Sequence, residues 1–257
     1  MRANLLAGKL KQAYLELEGT NLNLRHLQEN RGRYLKMLEF ILPAPFSAKI
    51  LDIGCGFCYL TKFLKLQQLD VVGIDFFYGN IPAVRCKKSG IPFFQLNIEV
   101  DDFPFGKDVF DVILFGEVLE HLNYSPITSL KKIRKALKKG GKLIITTPNA
   151  LSLINVFKLL AGHNMYPDLK RFCQEPIHYK GKSFFYRHNR LYTIKELREL
   201  TAQSGFKILS SGFIRQGIYK KDLLEKVVLR SLIFPLLLAF PRFRDFLWVV
   251  AEKSGGR

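Results

Sequence analysis

Two acids and two glycines in the first third of the chain stand where a nucleotide-sized ligand would need them. The run Ile50-Leu51-Asp52-Ile53-Gly54-Cys55-Gly56-Phe57-Cys58 carries an acid and then two glycines. Such glycines allow a tight turn and a close approach of backbone to ligand, while Asp52 suits a cationic or amine-bearing group. Val72-Gly73-Ile74-Asp75 ends on a second acid, 23 residues after Asp52. An acid about 20 residues past a glycine turn is the usual partner of two ribose hydroxyls. Farther along, Glu117, Glu120 and His121 stand at i, i+3 and i+4, so a helix would put them on one face. Two carboxylates and an imidazole so placed can hold a divalent ion. His121 by itself can act as general base toward a hydroxyl. Cys55 and Cys58 form a C-x-x-C, but no second such pair completes a zinc site, and the glycine turn accounts for both.

These residues need elements to hold them. Residues 5–42 repeat apolar positions at three- and four-residue spacing (Leu24, Leu27, Tyr34, Leu35, Leu38, Ile41), which predicts a helix ended by Pro43 and Pro45. Short apolar runs then alternate with amphipathic ones. The strands are Ala48–Ile53, Val71–Asp75, Phe93–Leu96, Val109–Phe115 and Lys142–Thr146. The helices are Tyr59–Gln67, Ile81–Lys88, Val118–Leu122 and Pro126–Lys138. Each strand is a continuous run of Ile, Val, Leu and Phe, the pattern of a parallel sheet covered on both faces, hence a doubly wound α/β fold. Past Pro148 comes a variable stretch, then a helix Thr193–Ser204 stopped by Gly205 and two more strands, Phe206–Phe213 and Phe246–Glu252. The division is one domain over 1–257: a helical segment at 1–45, a ligand-binding core at 46–147, and an acceptor side at 148–257 with an apolar insert at 222–243.

The glycine turn leaves two kinds of nucleotide open. A nicotinamide dinucleotide favours G-x-G-x-x-G, and here Tyr59 takes the third glycine's place. S-adenosylmethionine carries a sulfonium and an ammonium and no phosphate, which suits the acid before the first glycine. The motifs LDIGCG (51–56), VVGID (71–75), FDVILFGEVLEHL (110–122), LKKGGKLIITTPN (137–149) and RLYTIKELRELTAQSGF (190–206) resemble the class I S-adenosylmethionine-dependent methyltransferases. Within that superfamily the chain is most similar to small-molecule enzymes such as the ubiquinone-biosynthesis O-methyltransferases. The resemblance implies a Rossmann-like seven-stranded sheet, mostly parallel with an antiparallel last strand, and helices on both faces. It implies that Asp52, Gly54, Cys55 and Gly56 hold the methionine end of the cofactor and that Asp75 grips the ribose. Phe76, Asn97 and Ile98 would then meet the adenine, and Gly116 would line the methionine pocket. It also implies methylation of an oxygen on a small-molecule or lipid-linked acceptor. In the ubiquinone enzymes the E-x-x-E-H run is taken to bind a divalent metal, so Glu117, Glu120 and His121 are the alternative to a metal-free His121 base. Where the family often has glycine, this chain has Cys58. Asn149, His188 and Tyr192, with His178 and Arg190, are the candidates for the acceptor pocket.

Charge is the unusual global property. Lys and Arg total 40 against 22 Asp and Glu, a net +18. Residues 1–120 hold 14 basic and 14 acidic side chains, and residues 121–257 hold 26 and 8, so the whole excess lies on the acceptor side. A basic half invites nucleic acid. Yet Gly116-Glu117-Val118-Leu119 replaces the N/D-P-P-aromatic run shared by methyltransferases that act on nucleic-acid amines. The insert 222–243 instead mixes apolar residues with Lys226, Arg230 and Arg242, as an anionic membrane surface would require. The longest apolar stretch, Ser231–Pro241, is 11 residues, too short for the roughly 20 that span a bilayer. No secretory signal is evident and four cysteines make no disulfide framework, which together predict a cytoplasmic protein; the insert and the charge split place it peripherally on the inner membrane face as an expectation. The rival functions are an RNA or protein methyltransferase docking through the basic half, and a noncatalytic module that binds the cofactor without turnover.

Overall fold

A computed structural model describes residues 8, 21–42, 44–45, 47–76, 81–166, 169–215 and 235–253. Apart from Gly8, the first part of the expected helix, 5–20, and the first part of the insert, 222–234, lie outside the described residues. Seven strands form one sheet in the order β3-β2-β1-β4-β5-β9-β8. They are β1 (Lys49–Ile53), β2 (Asp70–Asp75), β3 (Phe93–Gln95), β4 (Phe110–Gly116), β5 (Leu137–Pro148), β8 (Phe206–Ile214) and β9 (Phe246–Lys253). β1 runs parallel to β2 and β4, while β9, last in the chain, is antiparallel to both β5 and β8. Strand order reverses between β1 and β4. A crevice therefore opens at their carboxyl ends, the place where such sheets bind ligands.

The continuous apolar runs are explained by two cores. Ile50, Val71, Val112, Leu114, Ile144 and Val250 face one side of the sheet, packed with Met37, Leu38 and Ile41 of α1 (Asn21–Ile41) and Phe63 and Leu64 of α2 (Tyr59–Leu66). Their neighbours Leu51, Val72, Ile113, Phe115, Leu143 and Val249 face the other, packed with Leu130 and Ile133 of α4 (Pro126–Ala136) and Leu197 of α7 (Ile194–Gln203). Successive side chains point to opposite faces of a strand, so a sheet covered on both sides makes every position apolar. Cys86 of α3 (Ile81–Lys88) belongs to the first core. α7 carries a capping box in which Thr193 accepts from the Glu196 N–H and Glu196 accepts from the Thr193 N–H. Gly205 (φ 86°) follows it, as the sequence predicts.

Three elements depart from the sequence reading. The helix expected over Val118–Leu122 is a single 3₁₀ turn, Leu119–His121. The carbonyls of Glu120 and His121 are taken by Asn189, through its backbone N–H and its side-chain amide respectively, so nothing is left to propagate a helix. The helix expected to reach Lys138 ends at Ala136, because the buried Leu137 already pairs with Phe110 as the first residue of β5. The stretch after Pro148 is not formless. It holds α5 (Leu153–Leu160), with Ser152 accepting from the Asn155 N–H, a short α6 (Leu169–Phe172), and a hairpin of β6 (Ile177–Tyr179) and β7 (Lys182–Phe184). The hairpin turns on Lys180 and Gly181, both at positive φ (49° and 72°), as two-residue turns require.

Candidate active site

A cavity of about 290 Å³ occupies the crevice between β1 and β4. Of the residues singled out in the sequence, Asp52, Gly54, Cys55, Gly56, Asp75, Phe76, Asn97, Ile98, Gly116, His121 and His188 line it. The turn after β1 is built to be tight. Gly54 (φ 73°) and Cys55 both donate backbone N–H groups to the Ile74 carbonyl, at 2.9 and 3.1 Å. A Cβ on Gly54 would sit 2.2 Å from Val118 Cγ2, so only glycine fits. The Gly56 N–H donates to Asp75 Oδ2 at 2.8 Å, joining the ends of β1 and β2. Gly116, at the end of β4, faces Arg33, Met37 and Thr146 at 3.2–3.3 Å from where a Cβ would stand.

Asp52 is buried and accepts from Thr61 Oγ1 at 2.6 Å. Burial pushes its carboxyl up to about 6, against the pull of that hydrogen bond. Glu117 and Glu120 lie across the cavity, each pushed up to about 7, chiefly by burial. Glu117 takes positive φ (57°) and comes within 4.0 Å of Arg33 Nε. Glu120 Oε2 accepts from Thr147 Oγ1 at 2.9 Å, and its Oε1 is buried without a hydrogen-bond partner among the described residues. Asn97 is buried in the cavity wall, with its N–H donated to Asp101 and its Oδ1 accepting from the Glu99 N–H.

His121 stacks on Tyr186 (5.5 Å between centroids, 7° between planes) and meets the His188 ring edge-on at 4.8 Å. Its Nδ1 lies 2.9 Å from the Arg187 carbonyl. A carbonyl accepts only, so Nδ1 carries the proton and Nε2 is the nitrogen that can take up another. The β6–β7 hairpin covers the other end, where Tyr179 and Phe184 pack against Phe76 at 5.1 and 5.8 Å. Asp101 pins the hairpin there, accepting from Tyr179 Oη at 3.0 Å and pairing with Lys180 at 2.7 Å.

Three expectations need correction. Asn149 is 1% exposed and absent from the cavity wall; its Nδ2 donates to the Arg242 and Arg244 carbonyls and its Oδ1 accepts from the Leu151 N–H. It ties the chain entering β9 to the end of β5 and has no donor to spare for an acceptor. Tyr192 is likewise buried in the second core and does not line the cavity. The expected set of Glu117, Glu120 and His121 does not share a helical face. The left-handed backbone at Glu117 turns it toward Arg33, and the group that gathers is Glu120, His121 and His188. Glu120 Oε2 and His121 Nδ1 already serve Thr147 and Arg187, so the atoms of this trio that would hold a divalent ion are Glu120 Oε1, His121 Nε2 and a ring nitrogen of His188, with Glu117 standing apart.

Sequence reading missed the contribution of α1. Arg33, Tyr34 and Met37 line the cavity, and Arg33 is 7% exposed, held by Asn30 Oδ1 at 2.6 Å. The signal was present: Arg33 stands four and eight residues before Met37 and Ile41, a cation on an otherwise apolar face. It also missed Tyr186.

Residues 25–211 match the family model for a methyltransferase domain. The chain belongs to that family. A ubiquinone biosynthesis O-methyltransferase of Cereibacter sphaeroides is 36% identical over 42% of this methyltransferase chain and 44% of its own length. One from Roseobacter denitrificans is 31% identical over 63% of this chain and 62% of its own. The match thus spans less than two thirds of these relatives. Solved structures share the methyltransferase fold. An S-adenosylmethionine-dependent methyltransferase from Mesorhizobium loti superposes with TM-score 0.55 at 19% identity, covering 85% of this chain and 96% of that one. Phosphoethanolamine N-methyltransferase 2 of Haemonchus contortus, in complex with S-adenosyl-L-methionine, gives 0.56 at 17% identity, covering 87% and 52%.

Proposed function

We propose that this chain is an S-adenosylmethionine-dependent methyltransferase that methylates an oxygen of a small or lipid-linked acceptor. The observation that carries the reading is the placement of two acids and a glycine turn at one end of the switch-point cavity and His121 at the other. Asp52 and the turn Gly54-Cys55-Gly56 would hold the methionine end, where the acid meets an ammonium. Asp75 would bind the ribose hydroxyls, with Phe76, Asn97 and Ile98 around the adenine and Gly116 beside the methionine. When bound, the cofactor supplies an activated methyl group. His121 would receive the acceptor's hydroxyl proton on Nε2, oriented by Arg187, while Tyr186 and His188 shape the acceptor's side. Most of the rate would come from alignment, since displacement at an activated carbon needs little else.

Oxygen as the target draws on the relatives, which are named for O-methylation. Calorimetry with S-adenosylmethionine and with its demethylated product tests the first half. Transfer of labelled methyl to phenolic, lipid-linked and sugar hydroxyls tests the second. If neither cofactor form binds, the reading is wrong.

A cytoplasmic protein resting on an anionic membrane remains part of the proposal, and α5 strengthens it. Ile154, Phe157 and Leu160 are 63%, 54% and 79% exposed, beside Lys158. Leu236, Leu238 and Phe240, next to Arg242, repeat the pattern within the described part of the insert. Exposed apolar residues flanked by basic ones are what an interfacial segment presents. No helix among the described residues is long and apolar enough to cross a membrane.

A further inference from the structure

Three of the chain's four cysteines meet beneath the glycine turn, although they come from different elements. Cys55 and Cys58 belong to the turn after β1, and Cys86 comes from α3. Cys58 Sγ lies 3.8 Å from Cys55 Sγ and 2.9 Å from Cys86 Sγ, and all three sulfurs fall within 4.8 Å of one another. All are buried, and only Cys55, at 9% exposure, reaches the cavity wall. Two further observations argue against ordinary packing of small residues. Cys58 holds a left-handed backbone (φ 58°), a conformation that costs a side chain about 1 kcal/mol and that glycine adopts freely. Gly73 of β2 leaves room for the sulfurs, since a Cβ there would come within 3.2 Å of Cys55 Sγ and 3.4 Å of Cys86 Sγ.

We propose that Cys55, Cys58 and Cys86 form a three-sulfur site for a soft, thiophilic ion, and that the site's charge selects a trivalent one. Bonds of about 2.3 Å from one pyramidal ion, at angles of about 95°, set three sulfurs about 3.4 Å apart, between the Cys55–Cys58 and Cys58–Cys86 spacings. Cys58 and Cys86 need to part by roughly 0.5 Å to admit the ion. Zinc would want a fourth donor and would leave a buried negative charge. Monovalent copper on three thiolates would leave two. Asp52, an acid that Cys55 and Cys58 both feel, adds to the cost of a net negative charge there. A trivalent ion on three thiolates is neutral. With arsenite the exchange is As(OH)₃ + 3 RSH → As(SR)₃ + 3 H₂O: three As–O bonds become three As–S bonds, three thiol protons leave in water, and no oxidation state changes. Entry is through the cavity, past Cys55. The site stands whether or not the chain transfers methyl groups.

Arsenite added to the full chain tests it. Native mass spectrometry should show one arsenic per chain, and the arsenic X-ray absorption spectrum should show three sulfur neighbours. Cys86→Ser and Cys55→Ser should each weaken binding by about 100-fold or more, and Cys173→Ser, which alters the exposed fourth cysteine, should leave it unchanged. Should Cys86→Ser fail to fold, the wild-type absorption spectrum still decides. No bound arsenic, fewer than three sulfur neighbours, or retention undiminished in the Cys55 and Cys86 variants would overturn the site. Tighter binding of cuprous ion than of arsenite would overturn the charge assignment.

Discussion

The backbone N–H of Gly56 donates to the carboxylate of Asp75 at 2.8 Å, so the acid that ends β2 also closes the turn that ends β1. One carboxylate thereby shapes the floor of the cavity and presents itself to whatever lies in it. Asp75→Ala should weaken S-adenosylmethionine binding by about 10–100-fold, the value of one or two charge-assisted hydrogen bonds. Asp75→Asn, which can still accept from Gly56, should lose less. Calorimetry on both variants measures the difference, and equal losses would mean that the contact to the ligand, not the bond that closes the turn, accounts for the change.

His121 should separate binding from chemistry. His121→Ala is expected to lower kcat by about 10²–10⁴-fold, the usual worth of a positioned base, with cofactor affinity unchanged. The pH–rate profile of wild type should lose its acidic limb in the variant. A profile that keeps the same shape would assign His121 to packing against Tyr186 and His188.

The buried acids make stability depend on pH in a definite direction. Glu117 and Glu120 are held at about 7, above the ordinary 4.5, so the folded protein binds more protons than the unfolded chain between those values. Stability from these two groups is therefore full below about pH 4.5 and is lost as pH rises through 7. Asp52, raised to about 6 from 3.8, adds the same trend at lower pH. Glu120→Gln, which keeps an acceptor for Thr147, should flatten the decline and gain on the order of 2 kcal/mol at pH 8. Thermal unfolding from pH 5 to 8 reads this directly, and a wild-type curve that rises with pH over that range would contradict it.

Gly54 has no room for a methyl group. Gly54→Ala places a Cβ 2.2 Å from Val118 Cγ2 and asks alanine to hold φ 73°. A loss of roughly 2–3 kcal/mol with abolished cofactor binding is expected. Adding Val118→Ala removes the clash but leaves about 1–2 kcal/mol of backbone cost. Chemical denaturation of the single and double variants distinguishes the two contributions.

If the exposed face of α5 meets lipid, acids there should repel it. Ile154→Glu with Leu160→Glu should cut binding to phosphatidylglycerol-containing vesicles at least tenfold, and added salt should weaken the wild type in parallel. Flotation of the double variant at wild-type level would move the contact elsewhere.

The fold was legible because its signals are local. Apolar strand runs, the glycine turn, the capping box at Thr193 and the stop at Gly205 each depend on a few adjacent residues. The first half of the candidate site was legible for the same reason, since Asp52, Gly54, Gly56 and Asp75 line the cavity from strand ends and the turn between them. What escaped depends on distant partners. Arg33 reaches the cavity from α1, where helical spacing predicts burial but not which acids it will face. Asn149 looked like a site residue until the carbonyls of Arg242 and Arg244, more than ninety positions away, claimed its amide. Of the basic run in α4 and β5, Lys132 is spent on the Ile98 and Asp101 carbonyls and Lys138 on Asp111, while Lys131, Lys135 and Lys139 line a cleft with Lys107 and Arg134. Charge counting treats all five alike.

The position of β9 between β5 and β8 bears on how the molecule is made. Its partners on both sides precede it in the chain, so β8 has no place in the sheet until Phe246–Lys253 has left the ribosome. Until β9 emerges, β5 and β8 both wait with unpaired edges, and the nascent protein stays exposed to chaperones and to mispairing.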